Sequence, residues 1–219
     1  MKLCLLVFLI CSSITQSGTG DRELRQLGMV DIATMDSTIL ISLQYATSEN
    51  LFGEAVYDGI TRAWLHPDAA RKLVRAQQLL KSRYPHLSLL IYDAARPMSV
   101  QRRMWNLVRG TDKTNYVSNP ANGGGLHNYG MAVDATIVDI RTGRILPMGT
   151  GFDYFGPEAH INNEEQLLRT NHITREEYDN RLLLRSVMRE AGFRTILYEW
   201  WHFNACTRQE ARQSYRLIE

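Results

Sequence analysis

The residues MAVDATIVDI, 131–140, constrain this chain more than any other stretch, because they read as a strand with a carboxylate in its middle. Asp134 is flanked by Val133, Ala135, Ile137 and Val138, so its strand is mostly buried. A buried carboxylate is costly unless a cation pairs with it or a metal binds it. Any fold must therefore bring positive charge to this strand. An arginine would serve, and the chain has many. His127 lies seven positions upstream in the glycine-rich lead-in GGGLHNYG, which makes metal ligation the stronger reading. The glycines let the backbone turn tightly and approach another group closely.

A second stretch, LYEWWHF at 197–203, poses the same question with Glu199 and His202. Their odd offset puts them on opposite faces of an ideal strand. Acting together requires a bulge, a twist or a strand end between them. With such a break, His202 supplies a third ligand and Glu199 stands just behind, poised over a water. Two histidines and one aspartate form a sensible set for catalytic zinc, with three protein ligands and one position left for water. A nearby carboxylate can then take the water's proton. Trp200 and Trp201 read as core aromatics that also wall the site. Arg96, in YDAARPM, stands just after a strand and before Pro97. A guanidinium there is placed to stabilise an oxyanion on a substrate carbonyl, although a surface arginine is the plainer reading of that residue alone.

The 219 residues suffice for one substantial domain. A net charge of +2 gives no basic surplus of the kind that marks nucleic-acid binders. Residues 1–20 carry Lys2, an apolar run from Leu3 to Ile10 and then small polar residues, the pattern of a secretory signal peptide cleaved after residue 17 or 20. The run is too short to span a bilayer as a mature helix. A lipid anchor on Cys11 is disfavoured by bulky Ile10 before it. The expectation is a leader over 1–20 and a soluble, exported, periplasmic domain over 21–219. Cys4 and Cys11 fall in the leader, so only Cys206 remains and no disulfide framework exists. Cys206 reads as a small hydrophobe.

Along the rest of the chain, strands are expected over 38–46, 87–95, 131–140 and 194–203. Helices are expected over 66–84, with Pro67 in the first turn, over 99–110, and over 174–193, where Thr174 and Glu177 form a capping box. Residues 150–172 show no period and read as a long loop of the kind that often carries function. Strands and helices mix without a strict βαβ rhythm, which favours a single α+β domain.

GLHNYGMAVD followed by EWWH resembles the D-alanyl-D-alanine dipeptidases of the VanX type, zinc peptidases of the M15 group related to DD-carboxypeptidases and the hedgehog fold. YATSENLFG, AARP, TGRILPMGTGFD and LRSVMREAGF match further landmarks in the same order, so the resemblance covers nearly the whole chain after the leader. It implies a central, mainly antiparallel sheet with helices packed on it. It implies one zinc ion per chain held by His127, Asp134 and His202, Glu199 as general base, and Arg96 as stabiliser of the tetrahedral intermediate. Asp153 would receive the substrate's ammonium, and Tyr45, Trp200 and Trp201 would line the substrate site. The implied substrate is a small D,D-dipeptide; a D,D-carboxypeptidase or endopeptidase, or a zinc protein without catalysis, are the alternatives. One departure stands out: the family commonly has serine two residues before the first histidine ligand, where this chain has Gly125.

Overall fold

The computed structural model describes residues 20–219, so the candidate leader up to residue 19 lies outside the described residues. The elements run α1 (Asp21–Gln26), β1 (Val30–Asp31), α2 (Ile32–Met35), β2 (Leu40–Ile41), β3 (Trp64–Leu65), α3 (Pro67–Arg83), β4 (Leu87–Asp93), α4 (Met98–Val108), β5 (Ala132–Asp139), β6 (Arg144–Ile145), α5 (Glu164–Arg169), α6 (Arg175–Glu190), β7 (Arg194–Thr195), β8 (His202–Asn204) and α7 (Arg208–Ser214). The main sheet has the order β2-β4-β5-β8-β7, with β6 also on β5. Only β2 and β4 run parallel in it. The α+β class and the mainly antiparallel sheet are as expected. Among the described residues, no helix is long and apolar enough to cross a membrane.

Local chemistry explains the best elements. Helix α3 begins with Pro67, whose missing N–H costs nothing at that position, and the His66 side chain accepts from Asp68 N. Its stripe of Ala69, Ala70, Leu73, Ala76 and Leu80 is fully buried. Each fully buried leucine contributes about 2 kcal/mol. Helix α6 begins with the expected capping box between Thr174 and Glu177. Leu184, Val187 and Met188 face inward from it. Helix α3 lies against β4, and α6 against both α3 and β5, so the two helices cover the sheet.

Three expectations need correcting. The stretch 38–46 is not one strand: β2 is short, and Gln44–Ala46 form a 3₁₀ turn that takes Tyr45 out of the strand's alternation. The Asn50 side chain fastens this turn by donating to the carbonyls of Gln44, Thr47 and Glu54. The stretch 194–203 is not one strand either. It is a hairpin whose arms β7 and β8 pair antiparallel, with 196–201 as the connection. A single half-covered strand would turn alternate side chains outward, yet Glu199, Trp200 and Trp201 are all buried. Finally, 150–172 is not all loop. It holds short 3₁₀ turns and α5, which Glu164 docks by pairing with Arg185 at 2.6 Å.

The sheet sets the site through its register. Asp93 on β4 pairs with Asp134 on β5, and Asp134 pairs with His202 on β8. A register shift between Ile91 and Asp93, with Tyr92 as the extra residue, brings the two aspartates opposite each other. Three neighbouring strands thus carry Asp93, Asp134 and His202 in a row.

Candidate metal centre and active site

His127 enters from a 3₁₀ turn, Leu126–Tyr129, between Gly125 and Gly130. Gly130 has φ +64, and a Cβ there would meet His66 N at 2.9 Å, so only glycine fits. The turn aims the imidazole at the row of acidic side chains. His127 Nε2 lies 3.1 Å from His202 Nδ1 and 3.3 Å from Asp134 Oδ1, and His202 Nδ1 lies 3.0 Å from the same carboxylate oxygen. Among the described residues, these three form the cluster able to hold a metal ion.

The donor set fits a cation. His127 Nδ1 is 2.7 Å from the Ala94 carbonyl, which can only accept, so that nitrogen carries the hydrogen. His202 Nε2 is 2.9 Å from Asn204 Oδ1 and donates in the same way. In each neutral ring, the other nitrogen then turns its lone pair toward Asp134. Three electron-rich atoms in contact repel unless a cation lies between them. Tetrahedral zinc with bonds of about 2.0–2.1 Å sets its ligand atoms about 3.3 Å apart. The observed edges of 3.0, 3.1 and 3.3 Å match one face of that tetrahedron. Outer hydrogen bonds from Ala94 and Asn204 fix ring orientation as metal sites require.

Surrounding charge points the same way. Asp93 is fully buried and accepts from Arg96 Nε at 2.9 Å and Arg96 Nη2 at 2.6 Å, while Tyr57 donates to its other oxygen. Arg96 Nη1 donates to Gln101, and Arg96 Nη2 stands 3.7 Å from Asp134. Arg96 is therefore buried and pre-aligned rather than a surface residue. Glu199 Oε2 is 3.9 Å from His202 Nδ1. Burial first, then the charges of Asp134 and Asp153, push the Glu199 carboxyl up to about 8, against the pull of His202 and Arg96. Asp134 is held well below the usual range: burial works to raise it, and positive charge and hydrogen bonds from His127 and His202, when those rings carry a proton toward it, outweigh that.

These groups open into one cavity of about 620 Å³. Tyr45, Arg96, His127, Asp134, Asp153, Glu199, Trp201 and His202 all line it. Asp153 sits at φ +58, a left-handed conformation that aspartate tolerates better than most residues. Its carboxylate accepts from Tyr45 OH at 2.9 and 3.0 Å and from Leu51 N at 3.0 Å. Burial pushes Asp153 up to about 7, against the Tyr45 hydrogen bond and the charge of Arg96. Burial, then the Asp153 charge, keeps the Tyr45 hydroxyl protonated and donating. Trp200 does not line the cavity. Its indole N–H donates to Thr150 and its ring stacks edge-on to Trp201, so it braces the wall from behind. Cys206 is half-buried, with its thiol pushed up by burial, and lies apart from this cavity.

The family model described as D-ala-D-ala dipeptidase matches residues 25–218. This chain belongs to that family. It is 34% identical over 175 residues to the D-alanyl-D-alanine dipeptidase of Escherichia coli (strain K12), covering 80% of this chain and 83% of the relative. It is 30% identical over 180 residues to the enzyme of the same name from Enterococcus faecium, covering 73% of this chain and 82% of the relative. A shorter match, 35% over 77 residues, covers 35% of this chain and 35% of the D-alanyl-D-alanine dipeptidase of Streptomyces coelicolor (strain ATCC BAA-471 / A3(2) / M145). Membership makes the protein a metallopeptidase, and the cluster of His127, Asp134 and His202 is its candidate metal site.

Sequence reasoning missed Asp93, Tyr57 and Gln101. Asp93 carried a readable signal, a carboxylate ending the apolar run LSLLIYD three residues before an arginine. Tyr57 gave none, since its contact with Asp93 lies 36 residues away, and Gln101 gave none, since a neutral amide five residues after Arg96 looks like any polar helix residue.

Proposed function

We propose that the protein hydrolyses D-alanyl-D-alanine as a zinc dipeptidase. The observation that carries this reading is the close triangle of His127, Asp134 and His202 in one cavity with Glu199 and Asp153. The choice of substrate is supported by the relatives' names. Zinc, when bound, activates water for attack and polarises the scissile carbonyl. The chain's own residues do the rest. Asp153, held by Tyr45 and Leu51, receives the substrate ammonium and orients the peptide bond over the triad. Glu199 takes the proton of the attacking water and passes it to the leaving amine; its burial suits a group that must hold and release a proton near neutral pH. Arg96, kept in place by Asp93, donates its remaining N–H groups to the developing oxyanion. Trp201, fully buried beside Phe152, keeps the wall apolar and strengthens each of these interactions.

An ammonium-binding aspartate at the end of the site disfavours a carboxypeptidase or endopeptidase acting on long wall peptides, whose residue at that position is acylated. The leader-like first 20 residues support export to the periplasm, where the substrate would be dipeptide released by peptidoglycan turnover. The test is hydrolysis of D-Ala-D-Ala, L-Ala-L-Ala and N-acetyl-D-Ala-D-Ala, with and without chelator. Chelator-sensitive cleavage of the first alone is expected. Equal cleavage of the L,L form, or of the acetylated form, overturns the substrate assignment. Recovery of the protein from cytoplasm with its N-terminus intact overturns export.

A further inference from the structure

We propose that Arg208, together with the Ser118 hydroxyl, receives the C-terminal carboxylate of the substrate, so that the site selects peptides charged at both ends. This rests on the dipeptidase reading. A dipeptide is zwitterionic, and Asp153 answers only its ammonium. Arg96 is committed to Asp93 and Gln101, and its remaining N–H groups to the oxyanion. Arg208 lines the same cavity, and among the described residues it has no carboxylate partner within ion-pair distance. Its Nη2 donates to Ser118 Oγ at 3.0 Å. A guanidinium with N–H groups to spare, beside a hydroxyl, is a carboxylate receptor by its chemistry.

The segments that carry both groups are tied to the reacting atoms, while the Arg208 side chain itself is exposed at the mouth of the cavity. Arg208 opens α7, whose start is set by the capping box of Thr207 and Glu210, and β8 just before it carries His202. The Ser118 carbonyl accepts from Gln101 Nε2 at 2.7 Å. Gln101 is buried, and its other end takes Arg96 Nη1. One side chain thus ties the catalytic arginine to the Ser118 segment.

Gly125 supplies the independent observation. Its φ of −103 is open to any residue, so glycine is not needed there for backbone reasons. A Cβ at 125 would lie 3.1 Å from Ser118 Oγ and 3.4 Å from Ser118 Cβ. Gly125 leaves room for Ser118 to bring its hydroxyl to the spot that a residue-125 side chain would otherwise fill.

The test compares D-Ala-D-Ala with D-alanyl-D-alaninamide, which lacks the terminal charge. Kinetics are measured on the zinc-loaded full chain and on Arg208→Gln, Arg208→Lys and Ser118→Ala. Equilibrium binding of both compounds is measured on Glu199→Gln with and without Arg208→Gln. Arg208→Gln should raise KM for the acid by about five- to tenfold, leave kcat nearly unchanged and leave the amide unaffected. Arg208→Lys should recover part of the loss, Ser118→Ala should give a smaller loss of the same kind, and the preference for acid should shrink at high salt. Acid and amide handled alike by the unaltered site, or both weakened equally by Arg208→Gln, overturns the receptor. No hydrolysis of any dipeptide, but acid-selective binding that depends on Arg208, overturns the dipeptidase reading and leaves the receptor standing.

Discussion

Asp153→Asn should make the protein more stable above pH 7 while disabling it. The carboxyl has an ordinary pKa of 3.8 and sits at about 7 in the folded protein, with burial as the main cause. Between those values the folded state binds more protons than the unfolded one, so stability falls as pH rises through the window and levels off above it. At about 1.4 kcal/mol per pH unit, the interval gives an upper bound of about 4 kcal/mol. The residue keeps some contact with solvent, which reduces the figure to about 2 kcal/mol. Asparagine fits the same contacts. Its carbonyl oxygen can accept from Tyr45 and Leu51 where Oδ2 now does, and its amide can face the Tyr45 oxygen. It also tolerates the left-handed backbone at φ +58. Urea titrations of both proteins at pH 5.5 to 8 measure the difference, in which titrating groups remote from Asp153 cancel; Glu199, which the Asp153 charge helps to push up, adds to it in the same direction. The variant's advantage should grow by about 1 kcal/mol between pH 5.5 and 7 and stand at about 2 kcal/mol at pH 8, with Tm higher there by about 4–8 °C. Activity on a free-amine dipeptide should be lost. In the parent, kcat/KM should fall about tenfold per pH unit below about 8 as Glu199 protonates, and about a hundredfold per unit once Asp153 protonates as well below about 7. A variant less stable than the parent at pH 8, or a difference that does not change with pH, refutes the reasoning.

Two further outcomes follow from the same geometry. Glu199→Gln should lower kcat by about 10²- to 10⁴-fold with metal content unchanged, read by single-turnover kinetics beside elemental analysis, and loss of metal would make Glu199 a ligand instead. Asp93→Asn should leave buried Arg96 with only Asp134, at 3.7 Å, and cost about 3 kcal/mol, seen as a Tm lower by about 6–12 °C; an unchanged Tm would show that Arg96 does not depend on the pair.

The parts legible from sequence were those whose chemistry is local. Asp134 in an apolar strand demanded a cation whatever the fold, and the glycines beside His127 announced a tight approach. The capping box of Thr174 and Glu177 fixed the start of α6. The same signature stands in Thr207 and Glu210 and marks α7, which was not expected. Glu199 and His202 looked incompatible on one strand; the hairpin between β7 and β8 removes the conflict, because Glu199 stands in the connection and not in the ladder. That break is set by the burial of Trp200 and Trp201 against distant residues, which no local period records. Tyr45 left its expected strand for a similar reason, since its partner Asp153 lies 108 residues away. Helix α5 was hidden because Glu164 is buried only by virtue of Arg181 and Arg185 on another helix.

The measurement that bears most directly on the metal centre is an anomalous difference map collected at the zinc edge from crystals of the active protein. It should show a single peak within about 2.0–2.2 Å of His127 Nε2, His202 Nδ1 and Asp134 Oδ1. A peak ligated elsewhere, or none in crystals of protein that still hydrolyses dipeptide, would contradict the convergence of these three side chains on one cation.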